Sequence, residues 1–298
     1  MATGSVTADQ LMIFEGGKAH VSIVCPSSRS LTEDSAVQQL RYFLQEMTGS
    51  EFVVADHPHG PCIVVGEHSS LRGLLPAKKA MNLVPESFNI LIHNGSVFIV
   101  GADDRGVLYG VYRFLEKLGC RWLAPAFTYY GDDHSFVPRV KSLVLNLDAS
   151  CVEKPALKYR KLYVEEGHSH TAENLLQLID WMPKRRFNTL VVPLDYGGRG
   201  RVRWDKWRDA LTVELKKRGI IIEVGGHGYE NFLNAKMEEG KIFETHPEWF
   251  GMNEEGLREA KQNRVFCTSN DGARRYVLGK LLEYLEAHPE IEIFDFWP

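Results

Sequence analysis

Chemistry in this chain is easiest to see around Gly219 to Gly228, which reads GIIIEVGGHG. An apolar run bounded by glycines, entered from a helix and leaving through Gly-Gly-His-Gly, is the pattern of a buried parallel strand that opens into a loop. The glycines let the backbone turn sharply and leave His227 at the mouth of the strand, where an imidazole can reach a ligand. Other polar residues stand just past apolar runs in the same way: Glu165 and Glu166, Asp195, and Asp295 within the last run. The pair His168-x-His170 offers a second chemistry, because metal-dependent hydrolases with barrel folds hold a divalent ion with such a pair after the first strand. Here the pair lies several residues beyond the apolar run, and it fits the start of the helix at Thr171 equally well.

These positions need a scaffold that brings strand ends together. From Tyr159 onward the pattern alternates: strand Tyr159 to Val164, helix Ala172 to Arg186, strand Thr189 to Leu194, helix Trp204 to Arg218 and strand Gly219 to Val224. After a long loop come a helix from Asp271 to Ala287 and a strand from Ile291 to Phe296. Strands alternating with helices of this length pair in parallel through right-handed crossovers, predicting adjacent strands in sequence order. No strand is followed by a phosphate-cradling glycine pattern, so a nucleotide-binding sheet loses its main support and no cofactor is expected. Polar residues gathered at the carboxyl ends favour a (β/α) barrel.

The first half reads as a small α+β domain. His20 to Cys25 predicts a strand, Glu33 to Met47 an amphipathic helix closed by Gly49, and Phe52 to Ala55 and Cys62 to Val65 short strands. Asn94-Gly95 between FNILIH and VFIVG predicts a type I′ hairpin. Asp103 or Asp104 caps a helix that ends at Gly119. Leu143 to Leu147 is a last strand before a boundary near Ser150, giving domains 1–150 and 151–298.

Composition excludes several classes. A net charge of −4 with scattered basic residues leaves no footprint for nucleic acid or an anionic membrane. Met1 to Gln10 has no signal-peptide pattern, and no apolar run approaches a membrane span, so the expected location is cytoplasmic, with extracellular relatives allowed. The odd count of five widely spaced cysteines argues against a disulfide framework or a zinc ribbon. Cys267, without a neighbouring His or Lys, is expected to be structural.

The segment Phe88 to Pro125, with GADDRGVLYGVYRFLEKLGCRWLAP at its core, resembles the small domain that precedes the barrel in family 67 α-glucuronidases and family 20 β-hexosaminidases. The second half is similar to a bacterial domain of unknown function attached to that α-glucuronidase-type domain. It shares Gly226-His227, HPEWF at His246 to Phe250, FCTSN at Phe266 to Asn270 and a fourth strand ending in Trp-Pro. The resemblance implies an α/β chain with a hexosaminidase-like N-terminal domain, then the first half of a (β/α)8 barrel. It implies a carbohydrate substrate, with Arg160 after Pro155 holding sugar hydroxyls and Arg186-Phe187-Asn188 matching a Lys-x-Asn that closes the first barrel helix. The hexosaminidases end their fourth strand in an adjacent Asp-Glu pair, whereas this chain reads FDFWP, so hexosaminidase activity is not implied.

Glycoside cleavage needs an acid for the leaving oxygen and a second carboxylate or a substrate group in its place. Arg160, Asp195, His227, Trp249 and Trp297 are the residue types that hold hydroxyls and sugar rings. Asp295 is the available carboxylate at the fourth strand, and the catalytic acid is expected at or beyond the C-terminal end. A closed barrel takes about 250 residues, so the chain is expected to stop inside its barrel and to be incomplete as an enzyme. Three readings stand: a glycoside hydrolase acting on a glycan or a uronic-acid-bearing oligosaccharide, a non-catalytic carbohydrate-binding relative, and an amidohydrolase-like barrel using His168 and His170.

Overall fold

A computed structural model of the chain describes residues 10–75, 83–127, 134–146, 151–163, 171–193, 203–260 and 265–297. Its contacts divide the chain into two units: one comprises residues 1–160, 173–188 and 214–220, the other 161–172, 189–213 and 221–298.

The first unit contains β1 (Gln10–Glu15), β2 (Lys18–Ala19), β3 (Ser22–Val24), α1 (Leu31–Thr48), β4 (Val54–Ala55) and β5 (Cys62–Glu67). It continues with β6 (Phe88–His93), β7 (Ser96–Gly101), α2 (Asp104–Lys117), β8 (Arg121–Trp122), β9 (Ser135–Phe136), β10 (Ser142–Asn146) and β11 (Cys151–Glu153). Among the described residues its main sheet runs β11-β6-β7-β5-β3-β4, parallel through β7-β5-β3-β4 and antiparallel through the β6–β7 hairpin. That hairpin turns at Asn94 and Gly95, both with positive φ (50° and 70°), the type I′ signature its sequence predicts. A second sheet pairs β10 with β1, a strand absent from the sequence reading because its short apolar alternation adjoins a polar segment. Cys151–Glu153 pairs with β6, so the first sheet takes in chain beyond residue 150.

Residues alternate faces along a strand, and here both faces are dry. Ile23, Ile63, Val65, Val97 and Ile99 join the core under α1 and α2, while Val24, Cys62, Val64, Phe98 and Val100 form a separate cluster with Leu71. Both helices start on built caps. Ser30 accepts from the Glu33 N–H while the Glu33 carboxylate accepts from the Ser30 N–H, and Asp103 accepts from the Gly106 N–H at 2.8 Å.

Past these elements lie β12 (Lys161–Tyr163), α3 (Ala172–Trp181), β13 (Thr189–Pro193), α4 (Arg203–Lys217), β14 (Ile221–His227), α5 (Lys241–Thr245), α6 (Asp271–Ala287) and β15 (Ile293–Trp297). Among the described residues, the second unit's strands form one parallel sheet in the order β12-β13-β14-β15. That is the predicted order, and it has the arrangement of the first half of a (β/α)8 barrel. The helix predicted to run to Arg186 stops at Trp181 and passes into a 3-10 turn, Met182–Arg185. Pro183 supplies no N–H and its ring collides with the carbonyl four residues back, so the α-helix cannot continue. No helix among the described residues is long and apolar enough to cross a membrane.

Candidate functional site

The register of the parallel sheet sorts its side chains into two faces. One set of rows carries Leu162, Leu190, Val192, Ile222, Val224, Phe294 and Phe296. Phe294 and Phe296 meet the rings of Phe232 at 5.9 and 5.6 Å, and Tyr284 of α6 lies 6.3 Å from Phe294, so this face packs into the unit's interior. The alternate rows carry Lys161, Tyr163, Glu223, Asp295, His227 and Trp297, together with Thr189, Val191, Pro193, Ile221 and Ile293, so the polar groups stand among apolar neighbours. In a closed barrel that second face lines the axis, and its carboxyl end is the mouth. Sequence alone left the direction of Asp295 open; the pairing Gly225↔Asp295, two residues before His227↔Trp297, puts all three side-chain positions on one face.

Local geometry keeps this mouth open. Gly226 has φ +95°, a left-handed conformation that turns the chain into His227 and that an L side chain rarely adopts. A Cβ at Gly225 would lie 2.6 Å from the Asp295 Cβ and closer still to its backbone, so glycine lets the last two strands approach. The hydroxyl of Tyr163 sits 3.7 Å from where a Gly226 Cβ would be. His227 and Trp297 meet edge to face at 5.3 Å and 88°, and Trp297 remains 41% exposed. Deeper on the same face, Lys161 Nζ lies 2.6 Å from Glu223 Oε2, whose side chain is 2% exposed. Glu223 is therefore committed to its lysine and shielded from solvent, leaving Asp295, among the described residues of this face, as the carboxylate near the mouth.

The remaining sequence-predicted residues divide. Arg160 is not gathered with His227: it precedes β12, at the amino end of the sheet's first row, and its guanidinium is occupied. It donates to Glu86, to the Arg186 carbonyl at 2.6 Å and to the Leu157 carbonyl at 2.8 Å, and lies 5.6 Å from the Tyr109 ring. Glu86 also accepts from Asn188 Nδ2 at 2.9 Å and pairs with Arg105 at 3.2 Å, so Arg160 and Asn188 belong to one buried network. Trp249 stacks on His246 at 4.0 Å and 5°, with its indole nitrogen against Gly272 and its ring 5.3 Å from Tyr276, the surroundings of a packing residue. Asp195, Glu165, Glu166, His168 and His170 lie outside the described residues. Among the described residues, no group of three or more His, Cys, Asp or Glu side chains is placed to hold a metal ion.

Cys267 departs from expectation. Burial pushes its thiol up, but the N–H groups of Ser269 and Asn270 and the Arg258 guanidinium outweigh it and bring the pKa below the ordinary value. The cation involved is Arg258, nine residues upstream, which a search for neighbouring His or Lys does not find. Glu223 was legible in principle: a lone carboxylate inside GIIIEVGGHG must find a partner when buried. Tyr163 offered only the period of two on a short strand.

Residues 129–296 match the family described as Domain of unknown function (DUF4838), and residues 15–114 match Glycosyl hydrolase family 67 N-terminus. No curated protein matches the chain in sequence. Among solved structures, a family GH115 4-O-methyl-α-glucuronidase with specificity for decorated arabinogalactans aligns over 96% of this chain and 42% of its own, at 12% identity and a TM-score of 0.59. A β-hexosaminidase from Streptomyces plicatus, solved with GlcNAc, aligns over 95% of this chain and 54% of its own, at 14% identity and TM-score 0.56. A GH138 enzyme targeting pectin rhamnogalacturonan II aligns over 93% and 30%, at 15% identity and TM-score 0.54. The chain thus spans about half or less of the length of these structures, and it shares their glycoside-hydrolase fold.

Proposed function

The chain belongs to the DUF4838 family, and from that premise we propose that it serves the hydrolysis of O-glycosidic bonds in a glycan or a uronic-acid-bearing oligosaccharide, in the manner of an α-glucuronidase. The observation carrying this reading is the polar face at the carboxyl end of the parallel sheet. There Asp295, His227, Tyr163 and Trp297 share one side, while the opposite side is apolar. A sugar site needs a carboxylate to move a proton, polar groups for hydroxyls and an aromatic ring for the pyranose. Asp295 takes the acid or base role, His227 and Tyr163 hold hydroxyls, and Trp297 offers a ring. The family 67-type N-terminal match and the α-glucuronidase among the structural neighbours support a uronic acid as the sugar released.

Turnover of 4-nitrophenyl α-glucuronide and of neutral 4-nitrophenyl glycosides by the full-length protein tests the proposal. Release of nitrophenol that falls at least about a hundredfold in Asp295→Asn, the range for loss of a positioned acid or base, supports it. Sugar binding without turnover would assign a carbohydrate-binding role instead, and turnover unchanged in Asp295→Asn would move the chemistry elsewhere.

A further inference from the structure

The first unit holds a cleft of about 430 Å³, within the size range of small-molecule sites. Its residues all belong to that unit. One wall is a single stripe of α1, where Gln39, Tyr42, Phe43 and Glu46 recur at helical spacing. The opposite wall is the end of α3 with Gln177, Asp180 and Trp181, followed by Lys184, and Trp122 is among the lining residues.

The chemistry of the walls selects a ligand. Asp180 accepts from Lys184 and from Arg218 at 2.8 Å, and Glu46 lies 4.0 Å from Arg139, so each charge in the cleft has an opposite partner. A phosphate or a uronate would meet the two carboxylates, and an ammonium would meet the two cations. Aromatic surface is present as well: Tyr42 is 54% exposed, and the Lys184 ammonium lies 5.7 and 5.8 Å from the Phe43 and Trp122 rings. Gln39 spends its carbonyl on the Tyr112 hydroxyl at 3.2 Å, which leaves its amide donors for another acceptor. Gln177 has no hydrogen-bond partner among the described residues and contributes an amide that both donates and accepts. Charge-balanced walls with amide groups and an exposed ring suit a neutral molecule carrying many hydroxyls and one apolar face.

We propose that this cleft is a second carbohydrate site, which binds a neutral pyranose of a glycan through Tyr42, Gln39 and Gln177 and takes no part in the bond cleavage assigned to the polar face of the parallel sheet. It would hold an undecorated stretch of the chain.

Saturation-transfer NMR on the intact protein, with xylobiose, cellobiose and β-1,3-galactobiose as probes and glucuronic acid and adenosine beside them, tests the assignment. At least one neutral disaccharide is expected to receive saturation on its ring protons. Its affinity should fall about fivefold in Tyr42→Ala, as for a lost stacking ring, and again in Gln177→Ala. Both variants should keep the parent melting temperature, and His227→Ala should bind the disaccharide as the parent does. Absence of saturation for all three disaccharides, glucuronate or adenosine binding that Tyr42→Ala weakens, or disaccharide binding that survives the Tyr42→Ala/Gln177→Ala pair would overturn the proposal. Loss of binding in His227→Ala alone would place the sugar at the sheet instead. Glycosidase turnover is a separate readout, so either site can fail without the other.

Discussion

The two principal sheets differ in their second face. In the first unit, β5 sends Ile63 and Val65 into one core and Cys62 and Val64 into another, so both of its faces are apolar and buried. In the second unit the alternate rows of the parallel sheet place a lysine, a tyrosine, two carboxylates, a histidine and a tryptophan among Thr189, Val191, Pro193, Ile221 and Ile293. Apolar burial stabilises in rough proportion to area, so keeping one face polar gives up stability the first sheet retains. A sheet that does so reserves the face for a ligand, and this contrast supports placing chemistry in the second unit.

Substitutions should separate the sheets. Ile63→Ala, at a fully buried position, is expected to cost about 2 to 5 kcal/mol through lost transfer energy and a cavity, read from urea unfolding. Loss under about 1 kcal/mol would mean the doubly buried face is loosely packed. A similar or smaller loss, about 1 to 3 kcal/mol, is expected for Gly225→Ala, whose new methyl would collide with the Asp295 backbone and pry β14 from β15. Unchanged melting there would show that the last two strands are not held at this distance. Ser30→Ala, which removes half of the α1 capping box, should cost about 1 kcal/mol.

Acid sensitivity sharpens the contrast further. Burial pushes the Glu290 carboxyl up, but hydrogen bonds from the Trp204 indole and from His288, with the Arg208 charge, hold it below the usual carboxylate range. A depressed folded-state pKa stabilises above the unfolded-state value, and that stability is lost as pH falls through the folded value. Glu290→Gln should therefore melt below the parent at pH 7, with the gap closing as the solution is acidified below about pH 4. A gap of constant size across that range would remove the electrostatic account.

Much of this architecture was legible because local signals agreed. Alternating apolar runs and helices from Tyr159 specified the parallel order, Asn94-Gly95 specified the hairpin, and the Asp103-Asp104 pair specified the helix cap, which the structure gives to Asp103. The strand-end positions of His227, which a glycine pattern presents, and of Trp297 were legible. The buried network of Glu86, Arg160 and Asn188 was not legible, because an arginine that binds sugar and one that satisfies a buried glutamate have the same letter and the same neighbours. Their partners lie far apart in sequence, and only the folded chain brings Glu86 to them. At Trp249 the stack on His246, which occupies one face of the ring, was likewise not legible.

The claim that the polar face of the parallel sheet binds sugar is tested most directly by calorimetry on His227→Ala. Titrating the parent and the variant with glucuronic acid, which the charge-balanced cleft of the first unit is not expected to hold, should show affinity lower by about 1 to 3 kcal/mol in the variant, the cost of one buried hydrogen bond, with thermal unfolding unchanged. Equal affinity in the two proteins would contradict the account and return His227 to a structural role at the end of its strand.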